Sequence, residues 1–192
     1  GSMREPGGLP ARFGSLLVTP VKITRGPIEF VHTYGKKGVA QDPSGPVLKL
    51  WLKFENVSQD QEFPPLDRTL VFRRIFDSKL GKLFSLNFLS PAAERVKQDG
   101  EQHMVYDMPE FSEFDLAGQQ LDHPLKPGET LVTYIPSEEG IAKVDGEWVW
   151  RVLFRKVYNP KSGRGVTTLI DVKFRGDQVT VDDRSQAAVK AS

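Results

Sequence analysis

The sequence predicts an all-β fold, namely an antiparallel β-sandwich of about seven or eight strands, with a barrel as the alternative. The strongest observation is the stretch 47–57 (VLKLWLKFENV), in which apolar and polar side chains alternate strictly. Segments 147–158 and 166–174 alternate in the same way, and a loop rich in turn residues separates them. Period-two alternation is typical of a strand with one buried face. The third observation is a content of 17 Gly and 14 Pro, which indicates many turns.

The composition fits one globular domain without a global charge. The 192 residues are enough for a hydrophobic core, and 39% of them are hydrophobic. The 26 Lys and Arg residues nearly balance the 25 Asp and Glu residues, so we expect a protein partner and no nucleic acid. Because the chain has no Cys, disulfides, thiolate nucleophiles and Cys-type metal sites are excluded. We expect no cofactor.

The N-terminal residues 1–14 are predicted to be a tag remnant followed by a flexible linker. They combine Pro and Gly with little periodicity, and Gly1 and Ser2 precede a Met. A native membrane anchor upstream is therefore left open.

The domain itself is predicted to span 15–181, followed by a disordered tail over 182–192. Its first strand, 15–23, contains Pro20, which cannot donate a ladder hydrogen bond. This strand should therefore lie at a sheet edge or carry a bulge. A short strand over 28–34 follows.

The stretch 47–57 is expected to organise the sheet, because its two faces differ in polarity. One parity carries four large apolar side chains, which should face the core: Leu48, Leu50, Leu52 and Phe54. The other parity should face water and carries Lys49, Trp51, Lys53 and Glu55. A slip of one residue would exchange the two sets, so the pattern fixes the register.

The middle of the chain is less regular. Residues 68–77 (RTLVFRRIFD) are predicted to be a strand whose two faces are both partly apolar, and 81–89 to be a further extended segment. Residues 91–97 (PAAERVK) are predicted to form a short helix, because a leading Pro and a run of Ala, Glu and Arg favour one.

Residues 98–125 form an acidic insertion that contains seven Asp and Glu residues and no Lys or Arg. Its carboxylates and aromatic rings include the candidate interaction residues Asp107, Glu110, Phe111, Glu113, Phe114 and Asp115. One interpretation is a solvated flap that Phe111, Phe114 and Leu116 attach to the sandwich. A second is a surface for a basic partner, and a third is a Ca²⁺ site, since Ca²⁺ takes six to eight oxygen ligands.

Three strands are predicted after the insertion. The turn Lys126-Pro127-Gly128-Glu129 leads into a strand over 130–136. Segments 147–158 and 166–174 are predicted to pair as an antiparallel hairpin with a longer loop.

Basic residues on the late strands form a second candidate surface. Arg151 and Arg155 share the outward parity, and Trp51 is outward on the organising strand. On such a face the arginines could bind phosphate or an acidic polymer, and Trp51 could add a stacking or cation–π contact. The alternative is that these side chains form the hydrated face of a sandwich. We favour the hydrated face.

Catalytic signatures are absent from the sequence. The nucleophile elbow, the P-loop, the zincin motif, the EF-hand pattern and the dinucleotide fingerprint do not occur. The three histidines, His32, His103 and His123, are far apart in sequence. We therefore expect no enzyme activity. The alternative is a carbohydrate-binding or hydrolytic domain that uses Asp107, Glu110 and Asp115, and hydrolysis needs a carboxylate pair about 5 to 9.5 Å apart.

Three short motifs resemble a known family. They are LKLWLKFENVSQDQEF over 48–63, the Pro127-Gly128-Glu129 turn, and the closing strand that ends at Phe174. Together they resemble a bacterial immunoglobulin-like domain family of unknown function, which is found in extracytoplasmic lipoproteins and secreted antigens. The resemblance implies a non-enzymatic binding or scaffolding module outside the cytoplasm, and it supplies no site residues. The chain departs from the family in having no lipobox Cys and in its longer acidic insertion.

Overall fold

The computed structural model describes residues 2–33, 41–95, 97, 100–109, 111–141, 143–159, 161 and 164–183. Within these ranges there are fourteen β-strands and one short α-helix, so the predicted all-β class is confirmed. Two five-stranded sheets are accompanied by two separate two-stranded ribbons. No helix in these ranges has the length and apolar character needed to span a membrane.

The first sheet has five strands, in the spatial order β1 (Ser2–Arg4), β13 (Arg164–Arg175), β12 (Glu147–Asn159), β8 (Phe88–Pro91) and β9 (His103–Met104). The predicted late hairpin is confirmed, because β12 and β13 pair antiparallel from Glu147 opposite Arg175 to Asn159 opposite Arg164. The N-terminal strand β1 pairs parallel with β13.

The second sheet has the order β11 (Thr130–Pro136), β5 (Pro46–Asn56), β3 (Leu16–Pro27) and β14 (Thr180–Val181), and β2 (Ala11–Phe13) also pairs with β3. The predicted organising strand is thus β5, with a partner on each side. The ladder between β3 and β5 shifts at Pro20, so the predicted bulge is confirmed. Among the described residues, no strand pairs with Pro20 on the far side of β3, because β2 pairs with 16–18 and β14 pairs with Thr24 and Arg25.

One apolar core lies between the two sheets. The inner parity of β5 is fully buried, as are the inner residues 150–154 of β12 and 170–174 of β13. The buried members include Leu50, Leu52, Phe54, Trp150, Phe154 and Ile170. Two sheets that share one core form a sandwich-like arrangement, and removing this apolar area from water is the main stabilising term.

The two ribbons lie outside these sheets. The first pairs β4 (Phe30–His32) with β10 (Phe114–Leu116), and the second pairs β6 (Ile75–Asp77) with β7 (Lys82–Phe84). The first ribbon brings the acidic insertion to the predicted short strand over 28–34.

The helix lies elsewhere than predicted. Residues 68–77 begin with α1 (Arg68–Val71), because the Asp67 carboxylate accepts a hydrogen bond from the Leu70 N–H at 2.8 Å and caps the first turn. A strand follows only at β6. The predicted helix over 91–97 is wrong where the chain is described: the Ala92 N–H donates to the Glu147 carbonyl of β12, so the chain continues beside the sheet and then turns.

The two termini of the described chain differ from the expected linker and tail. Residues 1–14 contain β1 and β2, and the Phe13 ring packs edge-on against Phe154 at 5.1 Å. At the other end, the Asp182 carboxylate pairs with the Lys49 ammonium. Residues 184–192 of the predicted tail lie outside the described residues.

Candidate functional site

The acidic insertion lines an open groove of about 1170 Å³ beside the first ribbon. The lining consists of residues 111–112 and 115–124 together with Glu29, Val31, Thr33 and Arg68. We call this the acidic groove, because its carboxylates Glu29, Asp115 and Asp122 outnumber Arg68. Two of the sequence-predicted interaction residues, Phe111 and Asp115, line this groove.

A second apolar cluster holds the insertion on the outer face of the second sheet. Its buried members are Ile28, Val47, Met108, Leu116 and Tyr134, with Phe30, Trp51, Tyr106 and Phe114 partly buried around them. Residues of the insertion thus supply apolar side chains between their carboxylates, and these side chains cover part of the face that β5 and β11 turn away from the main core. This burial positions the groove wall.

Tyr134 on β11 anchors the wall by hydrogen bonds. Its phenol O–H donates to the Ala117 carbonyl at 2.7 Å, and its own carbonyl accepts from Gln119 Nε2 at 3.0 Å. The Gln120 N–H donates to Thr133 Oγ1 at 2.8 Å. Residues 117–120 are therefore tied to β11 at three points, so this wall is preorganised.

Burial raises the pKa of the Tyr134 phenol well above its ordinary value, and the charges of Asp182 and Glu29 add to the effect. Burial also raises the pKa of Tyr106, with smaller contributions from Glu139 and Asp107. Both phenols are therefore neutral hydrogen-bonding groups at neutral pH.

Arg68, the first residue of α1, places a cation among the carboxylates of the groove. Its guanidinium pairs with the Asp115 carboxylate, and its Nε lies 4.0 Å from Asp122 Oδ2. Helix α1 can hold Arg68 there because Asp67 caps it and Leu70 and Val71 are buried. Arg68 was not predicted to belong to this site; Asp67, a favoured N-cap residue directly before it, is the signal for a helix start at Arg68.

The predicted interaction residues of the insertion separate into two groups. Asp115 lines the groove, and Phe111 lines it with its side chain 92% exposed. The expected attachment by Phe111 is therefore wrong, whereas Phe114 does pack, with its ring 6.4 Å from that of Phe30.

The remaining residues of that set do not line the groove. Asp107 pairs with Arg74 at 3.5 Å, and the Glu113 carbonyl accepts from the Thr33 N–H at 2.8 Å. Glu110 lies outside the described residues.

Trp51 is not an open stacking surface. Its indole N–H donates to Thr24 Oγ1 at 2.9 Å, and its ring lies 4.8 Å from the ring of Tyr134. The Lys22 ammonium lies 5.5 Å from the centre of the indole. Trp51 is therefore half-buried in the second cluster, and its outward parity misled the prediction because the acidic insertion covers that face.

Arg151 and Arg155 are both engaged by carboxylates. Arg151 donates to the fully buried Asp171 at 2.9 and 3.2 Å, and this hydrogen bond raises the pKa of Arg151. Asp171 also pairs with Arg95, and Arg155 pairs with Asp67. The arginines on the outer face of the first sheet are therefore paired with carboxylates. A phosphate-binding surface would need unpaired cations, so this arrangement does not favour one.

The alternative of a Ca²⁺ site in the insertion has no support in the described part of the chain. Arg74 holds Asp107 and Arg68 holds Asp115, so these carboxylates do not converge on one point. Across the described ranges, no group of three or more His, Asp or Glu side chains could hold a metal ion.

No family model matches the chain, and no curated protein matches it. Among solved structures, the chain is similar to the yjhA protein of Bacillus subtilis, with 11% sequence identity and a TM-score of 0.46. The alignment covers 88% of this chain and 99% of the other. At this level the likeness says nothing about the side chains of the groove.

Proposed function

We propose that this chain is a non-enzymatic binding module whose acidic groove takes a segment of a partner protein with basic and apolar side chains. The observation that carries the proposal is the Phe111 ring, which is 92% exposed in the lining of a concave, charged groove. Exposed aromatic rings beside convergent polar groups are typical of binding sites, since such a ring gains from being buried by a partner.

The charge of the groove favours a cationic partner. Glu29, Asp115 and Asp122 face one arginine, Arg68, so the lining keeps a negative excess. Charge complementarity of this kind speeds encounter and selects partners. A Lys or Arg near the apolar anchor of the partner would meet Asp122, whose side chain is 55% exposed.

The wall of the groove is built before a partner arrives. Its hydrogen bonds to β11 and the buried Leu116 fix residues 115–120, so binding would not have to order them.

The immunoglobulin-like form of the sandwich and a location outside the cytoplasm belong to the same proposal. The two-sheet arrangement with one shared core supports the first. The second rests on the sequence resemblance over 48–63 and at the Pro127-Gly128-Glu129 turn.

A carbohydrate ligand is the second candidate, and the exposed Phe111 ring also favours it, because aromatic faces stack on sugars. Gln120 and His123 in the lining would supply hydrogen bonds. The hydrolytic version is weaker, since Arg68 already neutralises Asp115.

The test is a selection of random peptides on the immobilised chain, followed by titration of a selected peptide in solution. We expect the selected peptides to combine Lys or Arg with aliphatic or aromatic residues. Phe111→Ala should weaken binding by about tenfold or more, which is the behaviour of an interface anchor. Asp122→Asn should weaken it less and reduce its dependence on salt.

Phe76→Ala is the matched control, because Phe76 is also an exposed Phe and lies outside the groove. Equal loss in Phe76→Ala and Phe111→Ala would contradict the proposal. Selection of peptides without basic residues would also contradict it. Binding of an oligosaccharide panel that Phe111→Ala abolishes would establish the second candidate instead.

A further inference from the structure

The short ribbon of β6 and β7 carries several exposed large apolar side chains. Phe76 and Leu83 are cross-strand neighbours, with exposed fractions of 63% and 48%, and Leu80 in the connecting turn is 58% exposed. Leu86, just after the ribbon, is also exposed. Single exposed apolar residues are ordinary, but a group of them on one small ribbon indicates a contact surface.

The tip of the ribbon is a built turn. The Asp77 carboxylate accepts from the backbone N–H groups of Lys79 and Leu80 at 2.8 and 3.1 Å. The Gly81 N–H donates to the Asp77 carbonyl at 2.8 Å, and Gly81 has a φ of 64°, which favours glycine. These hydrogen bonds therefore hold the turn, and with it the exposed Leu80, in a defined conformation.

Cations flank this ribbon at both ends. Arg73, Lys79 and Lys82 are exposed, and they form no ion pair with another described residue. The nearby Asp77 carboxylate is occupied by backbone N–H groups. The ribbon thus combines apolar side chains with a net positive charge.

We propose that the tip of this ribbon docks on the surface of an anionic lipid bilayer, with Leu80, Leu83 and Phe76 entering the headgroup region and Lys79 and Lys82 contacting lipid phosphates. Apolar side chains flanked by Lys and Arg match the interface of such a bilayer. A protein partner fits less well, since lysines are depleted at the centre of protein interfaces. This inference does not depend on the acidic groove.

The first test uses the absence of Cys from the chain, so that a single introduced thiol can carry an environment-sensitive fluorophore. The labelled Leu80→Cys variant is mixed with vesicles of phosphatidylcholine containing phosphatidylglycerol, and with vesicles of phosphatidylcholine alone. We expect a blue shift and increased emission only with the anionic vesicles. Labelled Leu9→Cys is the control, because Leu9 is 85% exposed elsewhere, and it should not respond.

The second test measures the partition coefficient by vesicle sedimentation. Lys79→Glu/Lys82→Glu should lower it about 30-fold or more, since each basic residue near an anionic surface contributes about fivefold and charge reversal adds repulsion. The matched control Lys126→Glu/Lys143→Glu changes the net charge equally at exposed lysines outside the ribbon and should have a much smaller effect. Leu80→Ser/Leu83→Ser should also lower partitioning, and high salt should weaken that of the unchanged chain.

Three results would overturn the proposal. The first is no binding of the unchanged chain to anionic vesicles, and the second is equal loss in the ribbon variant and its charge-matched control. The third is a dimer in sedimentation equilibrium that Leu80→Ser separates into monomers, because the ribbon would then be an interface between two copies. All replaced side chains are exposed, so unaltered thermal unfolding of each variant verifies its fold.

Discussion

The alternation of apolar and polar residues along β5 predicts the solvent exposure of its inner face better than that of its outer face. The inner face is fully buried, as the pattern predicts, and consists of Leu48, Leu50, Leu52 and Phe54. On the outer face only Lys53 is exposed to the extent that the pattern predicts. Lys49 is 7% exposed, with its ammonium donating to the Pro27 carbonyl at 2.9 Å, and Trp51 is half-buried against Tyr134.

The outer face of the first sheet is covered as well, but by charges. Asp171 on β13 is fully buried between Arg151 and Arg95, although its position in the alternation predicts a solvent-facing side chain. Alternation therefore identifies the side chains that face the main core. It does not say whether the opposite face meets water, because that depends on segments distant in sequence.

The largest expected effect lies on the inner face. Phe54→Ala removes a ring from the shared core, whereas Lys53→Ala shortens its exposed neighbour on the same strand. We expect Phe54→Ala to lower the free energy of unfolding by about 4 kcal/mol, from lost burial and a residual cavity, and Lys53→Ala to change it by less than about 0.5 kcal/mol. Urea denaturation measures both, and similar losses would contradict the assignment of the faces.

The next effect concerns the covered outer face of the first sheet. Asp171→Ala leaves Arg151 and Arg95 without their buried carboxylate. We expect the free energy of unfolding to fall by about 2 to 3 kcal/mol. This is less than for fully buried ion pairs, because both arginines are about a quarter exposed. Asp177→Ala, which breaks the exposed pair with Arg175, is the control and should cost less than about 0.5 kcal/mol. Urea denaturation measures both variants, and equal losses would mean that the buried ion pairs of Asp171 do not stabilise the fold more than an exposed pair does.

A smaller effect is expected at the anchor of the acidic insertion. Tyr134→Phe removes the hydrogen bond to the Ala117 carbonyl and should lower the free energy of unfolding by about 1 kcal/mol at neutral pH. Amide exchange of residues 117–120 should accelerate in the same variant. Unchanged exchange there would show that the second cluster alone holds the groove wall.

The same residue predicts how stability depends on pH. Burial raises the pKa of folded Tyr134, so its contribution is fully present below the ordinary tyrosine pKa of 10.0 and is lost as the pH rises toward the folded pKa. Above pH 10.0 the unfolded phenol ionises first, and the free energy of unfolding should fall by up to about 1.4 kcal/mol per pH unit from this group. Tyr134→Phe should show a shallower decline between about pH 9 and 11.5. Parallel declines would contradict the burial of the phenol.

Prediction from sequence succeeded where one residue pattern decides the structure. The inner face of β5, the bulge at Pro20 and the hairpin of β12 and β13 follow from local alternation, from a missing donor and from a turn-rich loop. The groove depends on contacts between distant segments, because Arg68 reaches Asp115 and Tyr134 reaches Ala117 only in the folded chain. Composition identified the acidic insertion as unusual, but it could not distinguish the anchoring side chains from the exposed ones.

The smallest effect on stability is expected at Phe111. Comparing it with Leu116 distinguishes the side chains that attach the insertion to the fold from those that remain exposed. Leu116→Ala removes a buried side chain of the second cluster and should cost about 2 to 3 kcal/mol. Phe111→Ala should change the free energy of unfolding by less than about 0.5 kcal/mol, because its ring is 92% exposed and touches little that folding buries. Denaturation of the two variants measures this contrast. A costly Phe111→Ala would mean that the ring packs in solution, and the binding proposal would then lose the observation that carries it. A ring that contributes nothing to the fold keeps its apolar area available for a partner.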